Sequence, residues 1–180
     1  MFCLQMGIFH SLLSWAYTGK KASILILGLD GSGKTTLLYR LKTNKTNQTI
    51  PTIGFNVEEI QYGSLTFTCF DIGGQDKIRR LWHNYYANSD AVIFVVDSND
   101  QQRLTMVKSE LYKLMNHPFL KDVPFLIFAN KQDLPDAMQV STLIRTLELH
   151  QVRKQWKVCE CTATEGLGID DGFQWLADTI

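Results

Sequence analysis

Three features of the chain predict an α/β fold. Short β-branched and aromatic runs alternate with longer segments of helical period, the signature of βαβ units around a mostly parallel sheet. Runs such as Ile24-Leu25-Ile26-Leu27 and Phe125-Leu126-Ile127-Phe128 are apolar on both faces, which suits central strands covered by helices on each side. Tyr62-Gly63-Ser64 joins the second and third strands too tightly for a crossover helix, so that pair is an antiparallel hairpin at one edge of a six-stranded sheet.

Residues 1–20 read as an N-terminal tail in which Ile8, Phe9, Leu12, Leu13 and Ala16 fall on one face of an amphipathic helix. Residues 21–180 read as one domain, because the whole chain of 180 residues suffices for one sizeable core and not for two. Strand Ser23–Leu27 opens the domain, and a glycine-rich turn leads into helix Lys34–Lys42. Thr43–Thr49 is polar, has neither period, and reads as a mobile loop. The hairpin strands Phe55–Gln61 and Leu65–Asp71 follow, then helix Lys77–Tyr86. Strand Ala91–Val96 is an apolar run far short of the ~20 residues a membrane span needs. Helix Leu104–Asn116, strand Val123–Asn130, helix Ser141–Leu147, strand Lys157–Thr162 and helix Asp170–Ile180 complete the order.

Lysine plus arginine and aspartate plus glutamate both number 18, so no net field draws the chain to nucleic acid or to an anionic surface. Nucleic-acid binding is not expected. Cys3, Cys69, Cys159 and Cys161 show no CxxC spacing and no secretory leader precedes them, which points to a reducing, cytoplasmic setting; Cys69, Cys159 and Cys161 fall in strand-like stretches and are expected to pack as small hydrophobes, whereas Cys3 sits in the N-terminal tail. His10, His83, His117 and His150 have no metal-ligand spacing.

Gly28-Leu-Asp30-Gly31-Ser32-Gly33-Lys34-Thr35 matches G-x-x-x-x-G-K-[ST] between an apolar strand and a helix, where a phosphate-binding loop belongs. Its glycines let successive N–H groups point at phosphates, and the helix start adds a positive dipole end. Lys34 is expected on the β- and γ-phosphates, Thr35 on Mg²⁺ and Thr36 beside the nucleotide. Asp71-Ile-Gly73-Gly74-Gln75 follows a strand directly, so Asp71 is the natural Mg²⁺ partner, Gly74 can offer its N–H to the γ-phosphate, and Gln75 can orient the attacking water. Thr52, after the polar loop, is expected to complete the metal shell only when the γ-phosphate is present. No arginine occurs between Arg40 and Arg79, so hydrolysis is expected to be slow until an activating protein supplies one in trans. Arg79 and Arg80 read as solvated charges on a helix.

Asn130-Lys131-Gln132-Asp133 ends the fifth strand on the same sheet edge. Asp133 can accept the adjacent N1–H and N2–H of guanine in one bidentate bond, which adenine cannot return. Lys131 is expected to lie along the base, Asn130 to tie this loop to the phosphate loop, and the Ala163 N–H of Thr162-Ala163-Thr164 to meet guanine O6. These segments make a P-loop NTPase fold that binds GTP or GDP. A P-loop phosphotransferase or ATPase, and a scaffold that holds nucleotide without hydrolysing it, are the alternatives.

Gly28–Thr36, Pro51-Thr-Ile-Gly-Phe-Asn-Val-Glu58, Asp71–Ile78 and Asn130–Pro135 resemble the ADP-ribosylation factor (Arf) and Arf-like branch of the small GTPases, from about Met6 onward. The resemblance implies a switch that recruits effectors in vesicle-mediated transport, with an exchange factor, an activating protein, and reversible membrane association at the Golgi. It implies an effector surface including Phe55, Phe70 and Tyr85, with Phe70 where the family usually has tryptophan, and a hairpin that shifts register on GTP binding. Met6-Gly7-Ile-Phe-His-Ser11 fits a myristoylation signal at Gly7 if translation starts at Met6, and the C-terminal Ala-Asp-Thr-Ile offers no cysteine for prenylation.

Overall fold

The computed structural model describes residues 21–43, 54–63 and 65–180. Six strands form one sheet: β1 Lys21–Leu27, β2 Phe55–Tyr62, β3 Leu65–Ile72, β4 Ala91–Asp97, β5 Phe125–Asn130 and β6 Trp156–Glu160, in the spatial order β2-β3-β1-β4-β5-β6. Only the β2–β3 pair is antiparallel. The helices are α1 Lys34–Thr43, α2 Asp76–Arg79, α3 Leu104–Met115, α4 Val140–Thr146 and α5 Ile169–Thr179. The predicted α/β class, with a mostly parallel sheet and an antiparallel edge strand, is the one observed.

Successive side chains of a strand point to opposite faces, so the two-faced apolar runs feed two cores. Leu25, Leu27, Phe94, Phe125 and Ile127 meet Val107, Leu111 and Leu114 of α3 and Leu143 of α4 on one face. Ile24, Ile26, Val95, Leu126 and Phe128 meet Leu37 and Leu38 of α1 and Phe173 and Leu176 of α5 on the other. The register pairs Ile26 with Asp71, Leu27 with Phe94, and Asp97 with Asn130, so the loops after β1, β3, β4 and β5 leave the sheet side by side. Ligands of open α/β sheets bind at that edge.

One predicted helix is broken. Lys77–Tyr86 is a single α-turn, Asp76–Arg79, followed by a 3₁₀ segment, Trp82–Asn88. Trp82 is buried edge-on to Phe94 and its indole Nε1–H donates to Gly73 O at 3.2 Å, while Tyr86 is buried one turn later. Anchoring the indole to the loop carbonyl while burying both rings draws the chain into tighter i→i+3 turns, such as Asn84 N–H to Leu81 O. Two strand ends also fall short of their predicted bounds, while β1 starts two residues earlier than expected, at Lys21. Pro124 has no N–H for a ladder, so β5 starts one residue after it, although Pro124 O still accepts from Val92 N–H. Strand β6 stops at Glu160 because Thr162 N–H turns to Leu167 O. Cys69, Cys159 and Cys161 are free and buried, as expected, and burial pushes the Cys69 thiol up to about 12. Cys3 lies outside the described residues.

Gly172 of α5 shows how closely the second core is filled. A Cβ there would lie 2.5 Å from Phe128 Cζ and 3.1 Å from Leu126 Cδ2, and both side chains are fully buried. Replacing a mid-helix glycine by alanine ordinarily gains about 1 kcal/mol, whereas an extra methyl in a closed core costs about 1–3 kcal/mol. Packing outweighs propensity here, so Gly172→Ala is expected to lower the urea midpoint with an unchanged slope; a raised midpoint would show that the core gives way.

Candidate functional site

The phosphate loop runs from the end of β1 to the start of α1. Leu37 N–H closes the first helical bond onto Gly33 O at 2.9 Å. Gly33 has φ +95°, and a Cβ would stand 2.3 Å from Asn130 Nδ2, so no other residue fits. Lys34 is buried and its Nζ donates to Gly28 O at 3.0 Å and Leu29 O at 2.9 Å. Burial lowers its pKa to about 8, against the opposing pull of Asp71 and Asp30. Ser32 is buried as well, and its Oγ has no hydrogen-bond partner among the described residues. A buried ammonium and an orphaned hydroxyl in one backbone cradle suit a polyanionic ligand.

At the end of β3, Asp71 is fully buried, and Thr35 Oγ1 donates to its Oδ2 at 2.7 Å. This hard-oxygen set of one carboxylate and one hydroxyl fits Mg²⁺, which takes few protein ligands and completes its octahedron with phosphates and water. The described residues contain no cluster of three or more His, Cys, Asp or Glu able to hold a metal alone. Thr52, the other expected ligand, and Gly7 lie outside the described residues.

Gly74 lies directly on the phosphate loop, where an added Cβ would be 2.3 Å from Gly28 O, Asp30 N and Leu29 C. Gln75 follows in extended conformation at the N-cap of α2, exposed and without a side-chain capping bond. Arg79 is not the solvated charge expected from sequence. Its guanidinium is largely covered and folds back, donating to Gly74 O at 2.9 Å and to Asp76 at 2.7 Å.

Asn130, at the end of β5, is 2% exposed. Its amide donates to Ser32 O at 2.8 Å, and its Oδ1 accepts from Ala163 N–H at 3.0 Å and from the Cys161 thiol at 3.3 Å. The expected tie to the phosphate loop is therefore present. The Ala163 amide assigned to guanine O6 is already engaged by Asn130, so contact with a base requires that it be shared. Lys131 takes left-handed backbone, φ +68°, which a side chain rarely adopts, and its Nζ pairs with Asp97 at 2.5 Å. Asp133 is exposed, with its carboxylate open to a ligand. Thr162 is buried and closes the loop by accepting from Gly166 N–H at 2.8 Å, while Arg40 of α1 holds the same loop through Glu165 O at 2.6 Å.

Sequence reasoning missed Asp97, Ser98, Arg40 and Arg103. Ser98 Oγ accepts from Gln132 Nε2 at 2.9 Å, and Gln132 also donates to Met138 O at 3.2 Å. Arg103 grips Asp30 of the phosphate loop. Asp97 and Ser98, at the end of a strand beside Asn130, were open to inference from the sheet order; the two arginines had no local signal. The predicted effector residues do cluster: Phe55 is 57% exposed, and its ring lies 5.6 Å from Tyr85, which lies 6.1 Å from Phe70. A cavity of about 640 Å³ near the amino ends of β5 and β6, lined by residues such as Tyr112, His117 and Lys154, contains none of these groups.

A family model described as the ADP-ribosylation factor family matches residues 6–180. Among solved structures, the Arl6 BBS3 small GTPase from Trypanosoma brucei, with a bound nucleotide analogue, GppNp, is 40% identical at a TM-score of 0.82. That match covers 89% of this chain and 97% of the other.

The depressed Lys34 pKa makes the fold pH-dependent. An ordinary lysine holds its proton to 10.5, but the folded site releases it near 8, so between these values the unfolded chain binds more protons and rising pH favours folding. Below pH 8 the full net penalty of the shift applies, about 3 kcal/mol. In protein stripped of nucleotide and metal, Lys34→Met is expected to gain about 1–3 kcal/mol over wild type at pH 7, with the gap closing toward pH 10.5. Urea melts at both pH values check this, and a pH-independent gap would contradict it.

Proposed function

The chain belongs to the ADP-ribosylation factor family and is a GTPase, and from that premise we propose that it is a Mg²⁺-dependent switch, slow on its own, whose GTP-bound form recruits effectors in vesicle-mediated transport. The observation that carries the nucleotide assignment is Asn130, which joins the base loop to the phosphate loop through Ser32 O and Ala163 N–H. Family membership favours guanine over the adenine alternative, and Asp133 supplies the acceptor that guanine needs.

In the proposed site, Gly28, Asp30, Gly31, Ser32, Gly33 and Lys34 cradle the phosphates, Thr36 lies alongside, and Asn130, Lys131, Asp133, Thr162 and Ala163 hold the base. Thr35, Asp71 and Thr52 hold Mg²⁺, which when bound shields phosphate charge. Gly74 presents its N–H toward the γ-phosphate, and Gln75 orients water for in-line attack. Arg79 is occupied with Gly74 O and Asp76, so it supports the loop and leaves the transition-state charge to an arginine from an activating protein. A scaffold that never hydrolyses GTP is the competing reading, and the exposed Gln75 next to Gly74 favours hydrolysis.

The Phe55–Tyr85–Phe70 cluster, with Phe55 exposed and the other two half-buried, is proposed as the effector surface, and an exchange factor as the partner that loads GTP. Among the described residues no helix is long and apolar enough to cross a membrane. We propose a peripheral attachment, through the N-terminal segment in which Ile8, Phe9, Leu12, Leu13 and Ala16 recur at helical spacing and a myristoyl group at Gly7, reversible between cytoplasm and a Golgi-type membrane.

Single-turnover hydrolysis tests the proposal. Wild type is expected to turn over slowly alone and roughly 10³–10⁵-fold faster with an arginine-supplying activating protein, whereas Gln75→Leu keeps nucleotide affinity and loses at least about 10²-fold of the assisted rate. A Gln75→Leu rate equal to wild type would remove Gln75 from the mechanism.

A further inference from the structure

Arg103, outside the phosphate loop, holds both oxygen-bearing ends of a residue within it. From the turn that starts α3, its Nη1 donates to Asp30 Oδ1 at 3.1 Å and its Nη2 to Asp30 O at 3.1 Å. The guanidinium is itself fixed by a hydrogen bond from Nε to Asp100, whose Oδ1 also accepts Arg103 N–H at 3.3 Å. A planar fork with five donors can make all three side-chain contacts at once; a lysine cannot.

Asp30 needs such a partner. It is an acidic residue in a loop built to receive negative charge, two positions from Gly28 and close enough to raise the Lys34 pKa by its field. An unpartnered carboxylate there would oppose phosphate binding, and would oppose GTP more than GDP because GTP brings more negative charge. The carbonyl matters separately. The Asp30 carbonyl and the Gly31 N–H belong to one trans peptide and point opposite ways, so by holding the carbonyl on the α3 side Arg103 turns that N–H away from α3.

We propose that Arg103 is a positioning residue that sets the preference of this GTPase for GTP over GDP, by drawing the Asp30 carboxylate and carbonyl toward α3 and away from the phosphates. This rests on the nucleotide-site assignment above. The trigger for the switch is then tuned from outside the loop, by an ion pair spanning 73 residues of sequence.

The test is equilibrium binding of GDP and of the non-hydrolysable analogue GppNp, each with Mg²⁺, to full-length wild type, Arg103→Gln, Arg103→Lys, and Arg103→Gln combined with Asp30→Asn. Arg103→Gln is expected to lower the GppNp-to-GDP affinity ratio by about 5–10-fold, the scale of one partly screened charge interaction. Arg103→Lys keeps the charge without the fork and is expected to lower the ratio by only about 2–3-fold, and Asp30→Asn in the Arg103→Gln background, which removes the carboxylate charge, is expected to restore most of it. Equal losses for both nucleotides, or no rescue by Asp30→Asn, would reduce Arg103 to a structural brace and overturn the proposal. Should Arg103→Gln fail to fold, the Lys variant and Asp30→Asn alone decide: an unchanged ratio in Arg103→Lys, or a lower one in Asp30→Asn, overturns it. Wild type that binds neither nucleotide would instead defeat the site assignment itself.

Discussion

The Asn130 side chain is the constraint on which the rest of the site depends. One amide, almost fully buried, satisfies a carbonyl of the phosphate loop, an amide of the loop after β6 and a thiol at the end of that strand. A buried amide left unpaired costs about 1–3 kcal/mol per group, so the three loops are held in one arrangement or all are penalised. Gly33 belongs to the same constraint, since its missing Cβ is what lets Asn130 approach. Three strand ends, joined by contacts that span 98 and 33 residues of sequence, thereby become one surface.

Around that anchor the site is assembled by contacts that set charge. Lys34 is buried against two carbonyls and Asp71 against the Thr35 hydroxyl, both on elements whose apolar faces fill the two cores. Gly74 packs on the phosphate loop with no space for a side chain, and Arg79 and Trp82 fasten the carbonyls of Gly74 and Gly73. The Gly73–Gly74 segment is thus tied to the start of α2 and to the Trp82–Phe94 core contact. Tyr85, on the same 3₁₀ segment as Trp82, lies against Phe55 and Phe70.

The architecture was legible because β1, β4 and β5 are apolar on both faces and the Tyr62–Leu65 connection leaves no room for a helix. The phosphate and base loops were legible because their chemistry demands particular residues at fixed spacing beside a strand end. Lys77–Tyr86 was misjudged because its apolar spacing suits a helix equally well, whereas the indole bond to Gly73 is a tertiary fact. Arg79 looked solvated for the same reason. Arg103 and Asp97 escaped notice because each acts on a residue distant in sequence, Asp30 and Lys131, and ion pairs of that separation leave no periodic trace. Thr52 and Gly7 rest on the sequence alone.

If the loops joined by Asn130 form a single guanine-specific site, the two purine bases must be told apart at equilibrium. Equilibrium titration of the full chain with GDP and ADP, in the presence of Mg²⁺, is expected to show guanine preferred by roughly 10⁴-fold or more, because the Asp133 carboxylate that accepts both guanine donors is left unpaired against adenine. Comparable affinities for the two bases would contradict the account, leaving a phosphate cradle without a base site.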